Sequence, residues 1–527
     1  AFYQFLQKAA KETPDRVCIR FNSVEITYAQ ADRITDRLAK NLVAMGIELG
    51  DCIGICMPNI PQFILLYFAA LKAGAVVAAI NPRYSVGEAR TLLNDVRPKI
   101  VYSTCDTVDV ITKMRSSILS NVKIILSQIE DAAELWHCYQ EELPFTSEVT
   151  ELLPLLRMRS ETVLPQVAAD ADCIYQYSGG TTGTPKAAAA LHRNLVANTL
   201  QFRTWLSTLH TGEEITLAAI PLYHVYGMVI AMCVTLSLNS TILLHDERTG
   251  IPGLLKLIHE EKPTLFPAVP HLLEIMLRQE AVISGDIDLS SLKIIISGAS
   301  PLRVGCQEEL SKLLPNGRIV EGYGLSEAPT ATHCNPIQGE NRFGTIGLPL
   351  PGVDAKIVDV NDSSKVLPQG AVGELWLRSP QVMRGYHNRD EETRQVLKDG
   401  WLATGDIVKM DPQGYFQIVD RKKDLIKVSG FQVWPREIEV ILAHHPKVYE
   451  AGVIGTPEPI IGEKIVAWLV MEQGQRLTLD EVQEWCKKWL ASYKKPLEIL
   501  FCDRLPRSSL GKLLRRELRD WYQKRSQ

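Results

Sequence analysis

Lys293-Ile294-Ile295-Ile296-Ser297-Gly298-Ala299-Ser300-Pro301, a helical stretch, and a second apolar run entering Glu321-Gly322-Tyr323-Gly324-Leu325-Ser326-Glu327 decide how this chain is built. An apolar run that breaks into Gly and Ser, then helical patterning, then another strand is one strand–helix–strand unit of a parallel sheet. Both loops then lie beyond strand C-terminal ends, where open α/β sheets place ligands. Gly298 and Ala299 leave room for a nucleobase, with Gly322 and Gly324 flanking Tyr323, whose ring offers a stacking face. The Glu327 carboxylate is a hard oxygen donor for a divalent cation, so adenine and Mg2+ fit the two loops together.

The same alternation runs outward from this segment. Ala75 to Ile80, Lys99 to Tyr102, Cys173 to Tyr177 and Ile215 to Ile220 are short β-rich runs separated by helical patterns, which predicts an α/β fold of parallel-rich sheets flanked by helices. The most apolar stretch, Gln62 to Ile80, contains Lys72 and Gly74 and reads as a helix followed by a buried strand, not a membrane span. Between residues 350 and 420, short strands such as Asp354 to Val360 and Gly373 to Arg378 predict a small β subdomain. Beyond Asp420, Leu425 to Gln432 reads as a strand, Arg436 to Ala443 as a helix, Tyr449 to Ile454 and Lys464 to Met471 as strands, and Leu479 to Leu490 as a helix. Two domains are therefore expected, a large one over 1–420 and a smaller, mobile α+β one over 421–527.

Bulk properties narrow the function. A 527-residue chain exceeds a single core, and 46% apolar with 22% charged residues indicates folded structure throughout. A formal charge of -4 gives no basic field for nucleic acid. The eleven cysteines show neither C-x-x-C nor Cys/His metal spacing, which suits a reducing cytosol. The opening Ala-Phe-Tyr-Gln lacks the pattern of an export signal, and nothing in the pattern specifies an oligomeric state.

Three further stretches carry chemistry. Tyr177-Ser178-Gly179-Gly180-Thr181-Thr182-Gly183-Thr184-Pro185-Lys186 follows a strand and precedes the helical run Ala187 to Trp205. Glycines that let the main chain wrap an anion, threonine hydroxyls and the mobile charge of Lys186 make a phosphate loop, with Thr181, Thr182 and Gly183 at its centre. It is not a Walker loop, because Ala187 stands where Ser or Thr is required. Trp401-Leu402-Ala403-Thr404-Gly405-Asp406 places a carboxylate in a tight turn, and with Arg421 downstream the pair suits a ribose and its phosphate. Arg507-Ser508-Ser509-Leu510-Gly511-Lys512 puts a lysine on a glycine-containing loop ahead of a basic amphipathic helix, Leu513 to Trp521.

In this order the segments resemble the adenylate-forming superfamily of acyl-CoA synthetases, luciferases and peptide-synthetase adenylation domains, over nearly the whole chain. Tyr177 to Lys186 is similar to its phosphate loop, Tyr323 to Glu327 to its Y-G-x-[ST]-E motif, Thr404 to Asp406 to its T-G-D motif, and Lys512 to its C-terminal catalytic lysine. Arg421, Lys423, Lys427 to Phe431 and Pro435 to Glu439 resemble its hinge and domain-entry motif. Pro221-Leu222-Tyr223-His224-Val225-Tyr226-Gly227 and Val428 to Pro435 are most similar to bacterial long-chain fatty-acid CoA ligases.

The resemblance implies ATP, Mg2+ and coenzyme A, with Thr181 and Glu327 at the metal, His224 as a gate or pocket residue, Lys423 as the pivot, and Ser429, Gly430 and Phe431 at the pantetheine. It implies a medium- or long-chain fatty acid as substrate and a peripheral lipid contact. An aryl-CoA ligase of the 4-coumarate type, transfer to a carrier protein, a luciferase-type oxygenase and a non-catalytic nucleotide-binding regulator remain as alternatives. Ala187-Ala188-Ala189-Ala190-Leu191-His192 departs from the family, which commonly has Gly after the lysine and Thr before the His.

Overall fold

The computed structural model describes residues 1–108, 111, 122–177, 185–508 and 511–526 of the chain. Within it the expected strand–helix–strand unit is formed: Ile294–Ser297 runs parallel to Arg318–Leu325, with Ser297 opposite Glu321 and helix Val304–Leu313 between them in sequence. Cα packing groups residues 1–177, 185–353 and 379–395 into one compact unit and 354–378 with the chain beyond 396 into another. Compactness thus places the small β region with the C-terminal residues, a different grouping from the functional division expected at 420/421.

The first unit holds two sheets. The nine-stranded sheet runs Leu348–Pro349, Ala328–Cys334, Arg318–Leu325, Ile294–Ser297, Leu265–Ala268, Ile215–Ala218, Thr241–Leu244, Val17–Phe21 and Val24–Thr27. Its six central strands are parallel, and hairpins close both edges. The seven-stranded sheet runs Gly385–Tyr386, Ala187–Leu191, Asp172–Tyr177, Val76–Ala79, Cys52–Cys56, Ile100–Thr104 and Lys123–Ser127.

Helix Pro61–Lys72 packs against strands of both sheets, and all twelve of its residues are buried. That is why the stretch reads as uniformly apolar rather than amphipathic. Its one charge is matched, with Lys72 Nζ 2.6 Å from the carboxylates of Asp32 and Asp36 and 2.8 Å from the Thr35 hydroxyl. Among the described residues no helix is long and apolar enough to cross a membrane.

Four local expectations are corrected. Ala187 to Trp205 is not one helix: Ala187–Leu191 is a strand and only His192–Trp205 is helical. The alanine run lies between two antiparallel partners, Ala187 opposite Tyr177 and Ala188 opposite Tyr386, with all four alanines at 0% exposure. Alanine's helix preference amounts to under about 1 kcal/mol per residue, and pairing inside a closely packed sheet overrides it. The strand–helix layout expected around the phosphate loop is therefore strand–strand, and the Ala187 methyl does not stand at a helix N-terminus.

Tyr323 to Leu325 is strand instead of loop, because Arg318–Leu325 continues beyond the parallel ladder to pair with Ala328–Cys334. Asp406 lies inside strand Trp401–Met410 and not in a turn. Leu425 to Gln432 divides into Ile426–Val428 and Phe431–Val433, because Ser429 and Gly430 have φ of 50° and 83°, the paired positive values of a two-residue hairpin turn.

The second unit contains a β region in which Val372–Arg378 and Phe416–Arg421 flank Trp401–Met410. Its other sheet runs Phe431–Val433, Ile426–Val428, Gly462–Met471 and Val448–Glu458, with Glu498–Phe501 alongside Gly462–Met471. Helices Pro435–Ala443 and Leu479–Lys487 bury Ile438, Leu442, Val482 and Cys486 against that sheet. Helix Arg515–Ser526 contributes Leu518 to a separate apolar cluster with Trp468 and Leu500.

Candidate active site

The end of the parallel ladder forms the first part of the site. At Gly298 a Cβ would stand 3.1 Å from the Tyr226 ring, a tight contact, so a side chain there would crowd Tyr226. The Tyr226 hydroxyl donates to the carbonyls of Ile296 and Ala268 at 2.7 and 3.2 Å, fixing the ring across the strand ends. Ala299 has a φ of 72°, an uncommon conformation for a side-chain-bearing residue that turns the chain sharply after the strand. Ser297 Oγ is fully buried without a hydrogen-bond partner among the described residues, an orphan that suits a polar ligand atom at this edge.

On the adjoining hairpin Tyr323 stands opposite His333, their rings edge to face at 6.0 Å. Burial pushes the His333 imidazole down to about 3, so it is neutral beside Tyr323. Gly324 is required by packing, since a Cβ there would meet the Thr330 carbonyl oxygen at 1.5 Å; Gly322 has only ordinary contacts at its Cβ position.

The second part joins residues far apart in sequence. Strand Gly385–Tyr386, paired with the alanine strand, carries a tyrosine whose hydroxyl donates to Glu327 Oε1 at 2.8 Å. The Lys186 ammonium lies 5.2 Å from the centre of the same ring, a cation–π distance. Burial first, and the nearby Glu327 charge second, push the Tyr386 phenol well above its ordinary range, so it remains a donor. Tyr386 was not legible as functional in the sequence, where Gly385 before it is the only local signal.

The expected phosphate ligands Thr181, Thr182 and Gly183 lie outside the described residues. Among the described residues no group of three or more His, Cys, Asp or Glu side chains forms a metal cage. A single carboxylate such as Glu327, completed by phosphate oxygens and water, is the donor set Mg2+ takes in nucleotide sites, so the residues present fit that ion.

His224 opens the turn that leads into a π-helix, Gly227–Val234, every residue of which is buried. Such segments are rare and concentrate at functional sites. Gly227 is obligatory, because a Cβ would approach the Pro221 carbonyl oxygen to 2.3 Å. Met228, one residue on, accepts at its sulfur from the Tyr67 hydroxyl at 3.0 Å.

The remaining expected residues belong to the second unit. Asp406 and Arg421 are cross-strand partners, 3.1 Å apart at Oδ1 and Nε. Glu374, which sequence reading also missed, accepts from the Gly405 amide at 3.1 Å and from Lys422 Nζ at 2.9 Å. It thereby ties the Thr404–Asp406 segment to the short 3₁₀ turn Lys422–Asp424 that contains Lys423.

The Ser429–Gly430 turn presents Phe431, 54% exposed and stacked on Tyr493 at 4.4 Å. Lys512 sits on a turn closed by hydrogen bonds from Ser508 N to the Lys512 carbonyl at 2.9 Å and from Gly511 N to the Ser508 carbonyl at 2.8 Å.

Comparison with known proteins identifies the family of the chain. Residues 6–387 match the profile of the AMP-binding enzyme family and residues 437–512 that of the AMP-binding enzyme C-terminal domain. A long-chain-fatty-acid–CoA ligase of Bacillus subtilis is 34% identical over 97% of this chain and 93% of its own length. The crystal structure of ATP-bound MatB from Rhodopseudomonas palustris superposes with a TM-score of 0.86 at 27% identity, covering 99% of each chain. The AMP complex of O-succinylbenzoate coenzyme A synthetase from Bacillus subtilis does so with 0.81 at 25% identity, over 98% of each. With one profile spanning most of its length, and a relative one-third identical almost from end to end, the chain belongs to the AMP-binding enzyme family.

Proposed function

We propose that the protein is an ATP-dependent acid:thiol ligase that converts a medium- or long-chain fatty acid first to its acyl-adenylate and then to its coenzyme A thioester. The observation that carries the reading is the convergence of Lys186 and Glu327 on Tyr386, which brings a phosphate-seeking cation and a metal-seeking carboxylate to one place. The named relatives supply the acid and the thiol.

In the first half-reaction the acid's carboxylate attacks the α-phosphorus of ATP and pyrophosphate leaves. Both reactants are anions, so the work is charge neutralisation and alignment. Lys186 and the loop threonines take the outer phosphates, and Lys512 meets the carboxylate and bridging oxygen. Glu327 and Thr181 would hold Mg2+, which when bound would neutralise phosphate charge. Gly298, Ala299 and Tyr323 receive the adenine, Asp406 the ribose hydroxyls and Arg421 the ribose or phosphate.

In the second half-reaction we read 421–527 as a domain that pivots at Lys423 against 1–420. The pivot withdraws Lys512 and brings Ser429, Gly430 and Phe431 to the pantetheine, whose thiol gives up its proton, attacks the acyl carbonyl and expels AMP. The His224–Met232 stretch is our candidate for the acyl pocket. An apolar acid partitions into lipid, so we read the enzyme as cytoplasmic with peripheral contact to a bilayer.

Pyrophosphate release measured with a panel of acids, with and without coenzyme A, tests this. Release with fatty acids and acyl-CoA formation on adding the thiol are expected; no release with any acid would overturn the reading in favour of a regulator. An aryl substrate is the second reading, favoured by the solved O-succinylbenzoate relative, and turnover confined to the aromatic members of the panel identifies it.

A further inference from the structure

We infer that Tyr386 is a positioning residue that holds the Glu327 carboxylate and the Lys186 ammonium apart and aimed for a metal–triphosphate. This deepens the proposed function and rests on its reading of Glu327 as the Mg2+ carboxylate and Lys186 as the phosphate lysine.

A lysine and a glutamate delivered to the same place attract one another, and a direct pair would spend both charges before the nucleotide arrives. Tyr386 gives each a separate partner. Its hydroxyl takes one oxygen of Glu327, at 2.8 Å, which leaves the carboxylate's second oxygen to reach a cation, and its ring face takes the ammonium at 5.2 Å. Neither contact neutralises the charge it holds, so both groups stay available for the ligand.

The segment around Tyr386 is fastened for this task. Arg384 and His387 donate their amides to the carbonyls of Ala189 and Ala187, at 2.9 and 2.8 Å. The Tyr386 amide donates to Thr393 Oγ1 at 2.9 Å. Met383 N reaches the carbonyl of Glu327 itself, at 2.8 Å, so backbone and side chain of Glu327 are both tied to the same short segment. A side chain at Gly385 would run into Thr393, its Cβ 2.7 Å from that residue's methyl carbon. The alanine strand, where the sequence departs from the family, thereby acquires a role: it seats Tyr386 directly opposite Ala188.

Two variants separate the contacts. Tyr386→Phe keeps the ring for Lys186 and removes the hydroxyl from Glu327; Tyr386→Leu removes both. ATP binding is measured by calorimetry across a Mg2+ series without acid substrate, alongside thermal melting. For Tyr386→Phe, metal-free ATP binding should match wild type while the gain in affinity conferred by Mg2+ falls about tenfold, the effect of losing one hydrogen bond to a charged group. For Tyr386→Leu, metal-free binding should weaken as well.

Glu327→Gln is the control that isolates the underlying reading. If it keeps the full Mg2+ gain, the metal role of Glu327 is wrong. If it loses the gain while Tyr386→Phe retains it, the positioning role is wrong. Equal losses with and without Mg2+ in both tyrosine variants, tracking a drop in melting temperature, would mark Tyr386 as structural and also overturn the inference.

Discussion

Asp406 and Arg421 face each other across adjacent strands, Oδ1 to Nε 3.1 Å, with the Asp406 side chain 6% exposed and that of Arg421 36%. The guanidinium steadies a carboxylate that the β region presents from inside a strand. Arg421 retains enough exposure to meet a ligand of its own.

With Asp406 in the proposed ribose-binding role, Asp406→Asn is expected to weaken ATP binding by about tenfold or more, the cost of losing charge-assisted hydrogen bonds to ribose hydroxyls. Inorganic tripolyphosphate has no ribose and should bind the variant as it binds wild type. Parallel calorimetric titrations with the two ligands check this; equal weakening of both would remove Asp406 from the ribose.

The contrast between these residues and the strand–helix–strand unit shows what the sequence carries. Ile294 to Ser297 is legible because a short apolar run between turn residues has few other places to go. Asp406 is harder: Thr404-Gly405 is turn chemistry, and only pairing with Val372–Arg378 and Phe416–Arg421 draws the segment into a strand. Ala187 to Ala190 carry no periodicity, so local propensity points to helix while the neighbouring strands impose sheet. Tyr386 gets its role from Ala188 and Glu327, both remote in sequence, and no local pattern encodes that meeting.

That correction has a measurable consequence. Ala187 and Ala189 belong to the apolar cluster that includes Tyr175, Tyr177 and Leu92, with no exposure of either alanine. Ala189→Leu should cost about 1–3 kcal/mol through overpacking, whereas on a partly exposed helix it would be nearly neutral. Urea unfolding of the full chain measures the difference. MgATP affinity should fall with it, because the Ala189 carbonyl accepts from Arg384 beside Tyr386.

In the proposed mechanism Lys512 separates the half-reactions. Lys512→Ala should slow pyrophosphate release by roughly 10²–10³-fold, the loss of one preorganised charge contact. The variant should still convert chemically prepared acyl-adenylate to acyl-CoA, because the proposed pivot has withdrawn the lysine by then. Unchanged pyrophosphate release would exclude Lys512 from adenylation.

Lys423→Pro should give the opposite pattern. Proline fixes φ at the proposed pivot, so adenylation is expected to persist while thioester formation is lost. Equal loss of both steps, read from pyrophosphate and acyl-CoA in the same reaction, would place the pivot elsewhere.

Three residues before that pivot, Asp420 sets a dependence of stability on pH. Its carboxylate is buried and accepts from the amides of Arg421 and Arg436, each at 2.7 Å, while Arg515 Nη1 stands 3.7 Å away. Arg515 is shared with Asp424 and Glu439, at 3.1 and 2.8 Å, so its charge is divided among three acids. Burial outweighs the attraction of Arg515 and pushes Asp420 up to about 6. A folded-state value above the unfolded one favours the folded state when the group is protonated. Its contribution is complete below about pH 4 and is lost as pH rises through about 6, in total about 3 kcal/mol. About 1 kcal/mol of this falls between about pH 5 and about pH 7. Asp420→Asn cannot ionise, and although its NH2 replaces one of the two acceptor oxygens, the stability of the variant relative to wild type should rise with pH across that interval. Urea unfolding of both proteins at several pH values reads the difference directly; a difference that stays constant or moves against the variant towards neutral pH would mean that Asp420 is ionised throughout, held so by Arg515.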